Sequence, residues 1–199
     1  MGSPAHRSEG AGLAALHKLN LLDTLAEPQF DDIVEIAALA CGAPISLIAL
    51  RDQQRLWFKA RRGLEATELP WSTSFCAHTV AQGGLFVVSD ALAPGEPQFT
   101  ANPLVCRPPH VRFYAGVPLA SPDGPVIGTL CVMDSAPHAV TAEQQQVLLA
   151  CPADFAHGWL MPRLVELRAL HVGLEVWLMP EREITEIDRI DVDLIVSLR

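Results

Sequence analysis

Positive charge is scarce in this sequence. Lysine and arginine together number 14, against 23 aspartates and glutamates, which gives a formal net charge of −9. A surface that binds nucleic acid neutralises phosphates with clustered Lys and Arg side chains, and here the few basic residues are spread along the whole chain. We therefore expect no direct contact with nucleic acid.

Long apolar runs and paired cysteine motifs are also lacking. No uninterrupted apolar stretch approaches the roughly 20 residues of a membrane helix, and the polar start MGSPAHRSEG lacks the apolar core of a signal peptide. The five cysteines include no C-x-x-C pair, which favours reduced thiols over a disulfide framework or a structural zinc site. The sequence thus predicts a cytoplasmic protein without a membrane segment.

Apolar residues recur at helical spacing near the start of the chain. Residues 1–12 are small and polar, and we expect them to be disordered. The leucines of LAALHKLNLL then predict an amphipathic helix, whose apolar stripe serves either the domain or a partner chain. A second helix is predicted to begin at Pro28 and to end at Gly42.

Short apolar runs bounded by turn residues predict a sheet. The predicted strands are residues 45–50, 56–60, 85–89, 111–119 and 126–133. The first two and the last two are joined by polar turns, which is typical of antiparallel hairpins. Because the helices cluster early and the strands come in hairpins, we predict an α+β fold with a central antiparallel sheet of five to six strands flanked by helices.

Three further segments lie between and after these strands. A short helix is predicted around Phe75–Ala81, and another over residues 141–150 with Thr141 as its N-cap. Residues 91–109 contain five prolines and one glycine, which predicts a long connection of the kind that often closes over a pocket.

The motifs LHKLNLLDT, SFCAHTV, FTANPLV, RFYAGVPLASPDG and GTLCVMD, in this order and spacing, resemble a bacterial GAF domain over residues 13–150. The resemblance implies a domain that senses a small ligand or mediates dimerisation, typically in front of a histidine kinase or a cyclic-di-GMP enzyme. It implies a non-catalytic protein and a homodimer, and it leaves the ligand and any cofactor unknown.

Residues 151–199 resemble the opening of the effector-binding domain of a LysR-type transcriptional regulator. This resemblance implies a helix followed by strands, as an extension of the first domain. The apolar segments GLEVWLM and DLIVS have no obvious partners within 50 residues, so either they add to the edge of the first sheet or they stay poorly ordered. The two resemblances together imply a fusion of two sequences. The fusion is either natural or the result of a damaged reading frame.

The GAF resemblance places the ligand between the sheet and the long connection. The candidate lining residues are Trp57, Phe58, Phe75, Cys76, His78, Phe99, Asn102, Phe113 and Tyr114. A plain core role is an equal alternative for Phe58 and Phe113. Asp90 and Arg112 are further polar candidates, with caps, turns and surface pairing as alternatives. Gln98 stands where related loops carry an arginine, which argues against an anionic ligand.

Cys76 and His78 lie two positions apart. On a helix such positions point about 200° apart and cannot share a metal ion, whereas in an extended segment they lie on the same face and can. Because the pattern favours the helix, we predict no metal site. A cysteine at the start of a helix has a lowered pKa, which makes Cys76 the best candidate for a reactive thiol. A cysteine-based redox protein, such as a thiol-dependent reductase, is therefore an alternative to the sensor, and a fragment that regulates transcription through a partner is another.

Overall fold

Six antiparallel strands form the central sheet in this computed structural model. They are β1 (Ile45–Asp52), β2 (Arg55–Arg62), β3 (Glu68–Pro70), β4 (Phe86–Val88), β5 (Phe113–Ala120) and β6 (Val126–Asp134). They lie in the order β3-β2-β1-β6-β5-β4, and each neighbouring pair is antiparallel. The structure describes residues 4–121 and 124–149, together with residues 176–179 and 194–197. The predicted α+β class and both predicted hairpins are confirmed.

The helices are α1 (Pro4–Leu19), α2 (Pro28–Cys41), α3 (Phe75–Gln82), α4 (Pro103–Cys106) and α5 (Ala142–Leu149). Two single 3₁₀ turns, Trp71–Thr73 and Pro97–Phe99, precede α3 and α4. Helices α2 and α3 lie where the sequence predicts them. The edge strand β3 is not among the predicted strands, because three residues are too few to show an alternating pattern.

Helix α1 begins at Pro4 and therefore covers most of the segment that we expected to be disordered. Proline is favoured in the first turn of a helix, and PAHRSEGAG contains the good helix formers Ala, Arg and Glu. The second half of the helix is anchored by Leu16, which is completely buried. Because the second half of the helix is packed against the domain, the helix can extend toward the N-terminus. The small polar residues there would favour disorder on their own.

The two faces of the sheet carry separate cores. The helix face, as we name it, packs against α1, α2 and α5 and buries Ile48, Leu50, Phe113, Ala115, Val117, Leu130 and Val132 from the sheet. The loop face packs against α3 and the connection between β4 and β5, and it buries Leu47, Ala49, Phe58, Tyr114, Cys131 and Met133. Because side chains alternate along a strand, neighbouring residues go to opposite cores.

A β-bulge in β2 directs the side chain of one lysine into the protein interior. Ile48 pairs with Ala60 while Ala49 pairs with Phe58, so Lys59 is the extra residue of the bulge. Its side chain is fully buried, and its ammonium donates to Thr24 Oγ1 at 2.7 Å and to the Leu25 carbonyl at 3.0 Å. It also forms an ion pair with Glu27. Lys59 thereby ties the segment between α1 and α2 to the sheet.

Helix α5 is capped in the predicted manner. The Thr141 N–H donates to Gln144 Oε1 at 2.9 Å, and the Gln144 N–H donates to Thr141 Oγ1 at 3.3 Å. This reciprocal pair is a capping box. Gln144 also donates from Nε2 to the Ala40 carbonyl at 3.2 Å, which joins α5 to α2.

Two strands beyond the domain pair with each other. Strands β7 (Val176–Met179) and β8 (Leu194–Ser197) form a separate parallel ladder. The expectation that these strands extend the first sheet is therefore wrong, because they form a ladder of their own. The rest of the predicted LysR-like piece lies outside the described residues.

Within the described part of the chain, no helix is long and apolar enough to cross a membrane.

We expect Lys59→Met to lower the free energy of unfolding by about 2 kcal/mol. The substitution keeps most of the side-chain volume but leaves Glu27 and the Leu25 carbonyl without their cationic donor. Urea unfolding checks this. Arg61→Met is the matched control, since Arg61 is exposed on the same strand and should change stability by less than about 0.5 kcal/mol. Equal losses in the two variants would contradict the anchoring role of Lys59.

Candidate functional site

Helix α3 sets the geometry of the loop face. Ser74 is its N-cap and accepts a hydrogen bond on Oγ from the Ala77 N–H at 3.2 Å, and Gly83 ends the helix at a φ of 74°, a conformation that glycine adopts without strain. Cys76 is buried against the sheet while His78 is exposed. The prediction that these two side chains point apart on a helix is confirmed.

Aromatic rings fill the space between α3, the sheet and the connection. Phe75 stacks on Phe99 with 4.5 Å between ring centroids and on Tyr114 with 5.1 Å. All three rings are almost completely buried. His78 contacts the edge of this group, 4.9 Å from the Phe99 ring. The three stacked rings form a continuous apolar layer over the sheet.

Tyr114 ends in a buried hydrogen bond. Its hydroxyl lies 2.6 Å from the hydroxyl of Thr79 on α3, and burial raises the pKa of Tyr114 well above its ordinary value. The neighbouring Gly116 makes room for this hydroxyl, because a Cβ at that position would lie 2.3 Å from Tyr114 Oη. Strand β5 and helix α3 are thus joined through the polar tip of an otherwise apolar ring.

Two thiols meet in the loop-face core. Cys76 Sγ lies 4.0 Å from Cys131 Sγ, and both side chains are buried. The contact with Cys131 lowers the pKa of Cys76, and the same contact together with burial raises the pKa of Cys131 well above its ordinary value. Sequence reasoning did not pair these residues, since nothing in the spacing of α3 and β6 shows which strand residue lies under Cys76.

One hydroxyl on the loop face lacks a proper partner. Thr129, which follows the same alternation on β6 as Cys131, is completely buried and its Oγ1 makes no hydrogen bond of normal geometry. It lies close enough to the Cys76 thiol to contribute to the lowering of that pKa. A buried hydroxyl without a full hydrogen bond is costly, so this atom is available to a polar group that enters the loop face.

The structure brings together only part of the predicted lining. Phe58, Phe75, Cys76, Phe99 and Tyr114 share the loop face. The assignment of Trp57 and Phe113 to the same pocket is wrong, because both pack on the helix face. Each directly precedes a loop-face residue on its strand, and adjacent strand residues point to opposite sides.

The polar candidates of the connection have structural partners. Asn102 caps α4 by accepting from the Leu104 N–H at 2.9 Å, and it donates from Nδ2 to the Thr73 carbonyl at 2.7 Å. Arg112 donates to both carboxylate oxygens of Asp90, at 2.6 and 2.7 Å, and this contact lowers the pKa of Asp90. The ion pair between Asp90 and Arg112 therefore joins the two ends of the connection, just after β4 and just before β5.

A concave region lies at the β3 edge of the sheet. It is an open hollow of about 540 Å³ beside the β1–β2 turn, lined by residues such as Asp52, Arg55 and Glu68. The Arg55 guanidinium donates to Asp23, Asp52 and Glu68 at 2.7–2.9 Å, so its charge is already balanced. In the described part of the chain, no group of three or more His, Cys, Asp or Glu side chains is placed to hold a metal ion.

We expect Tyr114→Phe and Thr79→Val each to destabilise the domain by about 1.5 kcal/mol. Each leaves the partner hydroxyl buried without a hydrogen bond. The double variant removes both hydroxyls together. Its loss of stability should therefore be smaller than the sum of the two single losses by at least about 1 kcal/mol. Chemical unfolding of the four proteins measures this coupling, and strictly additive losses would contradict the hydrogen bond.

Comparison with known proteins identifies the family. The model of the GAF domain family matches residues 26–156. A cyclic di-GMP phosphodiesterase of Pseudomonas aeruginosa is 38% identical over 146 residues, which is 73% of this chain and 24% of that protein. The chain therefore spans about a quarter of the length of this curated relative.

Solved structures agree on the fold. The GAF domain of a phosphoenolpyruvate-protein phosphotransferase from Acinetobacter superposes with a TM-score of 0.51 at 15% identity, over 85% of this chain and 99% of that one. The PixJ GAF domain of Thermosynechococcus elongatus, in its blue-light absorbing form, gives 0.52 at 16% identity, over 72% and 88%. The chain belongs to the GAF domain family, whose members are sensory and signalling domains.

Proposed function

We propose that the domain is a non-catalytic sensor that binds an uncharged small molecule on its loop face. The observation that carries this proposal is the buried hydroxyl of Thr129, which makes no hydrogen bond of normal geometry on the same face of the sheet as three stacked aromatic rings. A pocket with apolar walls and a few inward polar atoms is the usual form of a small-molecule site. The rings of Phe75, Phe99 and Tyr114 supply the walls.

The connection between β4 and β5 is the segment that has to lift for a ligand to enter. Phe99 belongs to it and stacks directly on Phe75. Its base is held by Asp90 and Arg112, and its middle is held by the hydrogen bond from Asn102 to the Thr73 carbonyl. These polar contacts are partly exposed, so they open at lower cost than the buried core.

The charges of the described residues support a neutral ligand. The one buried charged side chain in that part of the protein, Lys59, lies on the helix face. Arg112 is neutralised by Asp90, and Gln98 donates to Glu96 at 2.6 Å. An anion buried in the loop-face core would lose its water, and none of the described residues buries a cationic side chain in that core to replace it, which is unfavourable.

The output of the sensor is proposed to lie in another domain or protein. The Pseudomonas relative is named a cyclic di-GMP phosphodiesterase, and the chain matches only a quarter of it. A regulatory role beside such an enzyme follows if this chain does what the corresponding part of that protein does. The contact to the output is proposed to run through a homodimer formed by the helices.

Thr129→Val separates a binding role from a packing role. We expect the ligand-free variant to be more stable by about 1 kcal/mol, because a methyl group replaces an unsatisfied hydroxyl of similar volume. We expect its affinity for the ligand to fall about tenfold, since the hydroxyl can no longer bond to it. Thermal shifts with a panel of neutral and anionic metabolites find the ligand, and calorimetric titration measures its affinity.

Ser46→Ala is the matched control for this experiment. Ser46 carries another buried hydroxyl without a partner, but it pairs with Val132 and therefore lies on the helix face. It should gain stability and keep the full ligand affinity. If no neutral compound stabilises the wild-type protein, or if both variants bind equally well, the loop face is not the binding site.

Leu39→Glu tests the proposed homodimer. Leu39 and Ile36 are exposed apolar side chains one turn apart on α2, with exposed fractions of 66% and 38%. A charge in a dimer interface formed by this helix should raise the dissociation constant of the dimer at least about tenfold. Sedimentation equilibrium measures it. Leu92→Glu, on the connection and 47% exposed, should leave dimerisation unchanged, and a monomeric wild-type protein would refute the proposal.

A further inference from the structure

Cys76 and Cys131 form an isolated pair of thiols. Their sulfur atoms are 4.0 Å apart although the residues are 55 positions apart in the chain. A disulfide needs about 2.05 Å between the sulfurs. The remaining approach of about 2 Å is within reach of side-chain rotation and a small shift of α3 toward the sheet.

The other described cysteines are differently placed. Cys41 lies in the helix-face core, where burial raises its pKa to about 11. Cys106 is exposed on α4, and its thiol donates to the Thr100 carbonyl at 3.1 Å. Each pairs with no cysteine among the described residues, whereas Cys76 and Cys131 face each other directly. Cys151 lies outside the described residues.

The two thiols of the pair are not equivalent. Cys76 lies in the first turn of α3, where the helix dipole favours a thiolate, and the contact with Cys131 lowers the pKa of Cys76. Cys131 lies in the central strand β6 and is completely buried. Cys76 is therefore the thiol that attacks an oxidant, and Cys131 is the thiol that resolves the product.

We propose that Cys76 and Cys131 are a reversible redox site, which a hydroperoxide oxidises to a disulfide that joins α3 to β6. This inference rests on the thiol pair alone and is independent of the ligand proposed above. It gives a specific form to the redox alternative that the sequence left open for Cys76.

The reaction balances in two steps. In the first, the Cys76 sulfur attacks one oxygen of hydrogen peroxide, the O–O bond breaks, and Cys76 becomes a sulfenic acid while one water leaves. In the second, the Cys131 sulfur attacks the Cys76 sulfur, the S–O bond breaks, and the hydroxyl leaves as a second water with the proton of Cys131. The two thiols lose two electrons, which reduce the peroxide. A dithiol reductant reverses the oxidation by thiol–disulfide exchange.

Peptide mapping of the natural protein tests the site directly. The folded protein is treated with hydrogen peroxide, alkylated in denaturant and digested without reduction. We expect one cross-linked peptide that contains Cys76 and Cys131, and we expect dithiothreitol to restore both thiols. The oxidised protein should also melt higher by about 5 °C or more, because the bridge constrains a long loop of the unfolded chain.

Single substitutions assign the roles. In Cys131→Ala the oxidation should stop at a Cys76 sulfenic acid that dimedone traps, whereas Cys76→Ala should leave Cys131 unoxidised at the same peroxide concentration. Cys41 is the internal control, since it is buried and contacts no other cysteine among the described residues. The pair should react at least about tenfold faster than Cys41. The proposal is overturned if both thiols remain free after Cys106 has been oxidised, if they react no faster than Cys41, or if the only disulfides found involve Cys106 or Cys151.

Discussion

The antiparallel pairing of β1 with β6 at the centre of the sheet is the constraint on which the rest of the domain depends. Its register, with Leu47 opposite Cys131 and Ile48 opposite Leu130, decides which side chains enter each core. A shift by one residue would exchange the two cores completely. The helices can cover one face and the connection the other only because this register keeps the two sets of side chains apart.

The sequence predicted the elements well because their signals are local. The leucine spacing of α1, Pro28 and the capping residues of α5 all act within a few positions, and each predicted helix or hairpin is present. The candidate site was harder, since it depends on which strand residue lies beneath which helical residue. Alternation along a strand could have excluded Phe113 once Tyr114 was chosen, but the closeness of Cys131 to Cys76 arises from long-range packing that no local pattern encodes.

The two faces differ in the charge of their buried polar groups. On the helix face the buried charge of Lys59 has three partners, and it fixes the α1–α2 segment to the sheet. On the loop face the buried polar atoms are neutral hydroxyls and thiols. Ser46 on the helix face and Thr129 on the loop face both lack a hydrogen bond of normal geometry, but among the described residues only the helix face is fixed by an ion pair with a fully buried side chain. The loop face is therefore the side on which a ligand or an oxidant can more readily shift the balance between conformations.

The sheet ends on both sides in very short strands. β3 and β4 have three residues each, and β3 ends with Pro70, which has no N–H to donate. So short an edge offers few free backbone groups to an incoming strand. Polymerisation by adding strands from one molecule to the next is thereby disfavoured at both ends. Any assembly of this domain has to be specified by its side chains, and a few surface substitutions can therefore redirect it to a new partner.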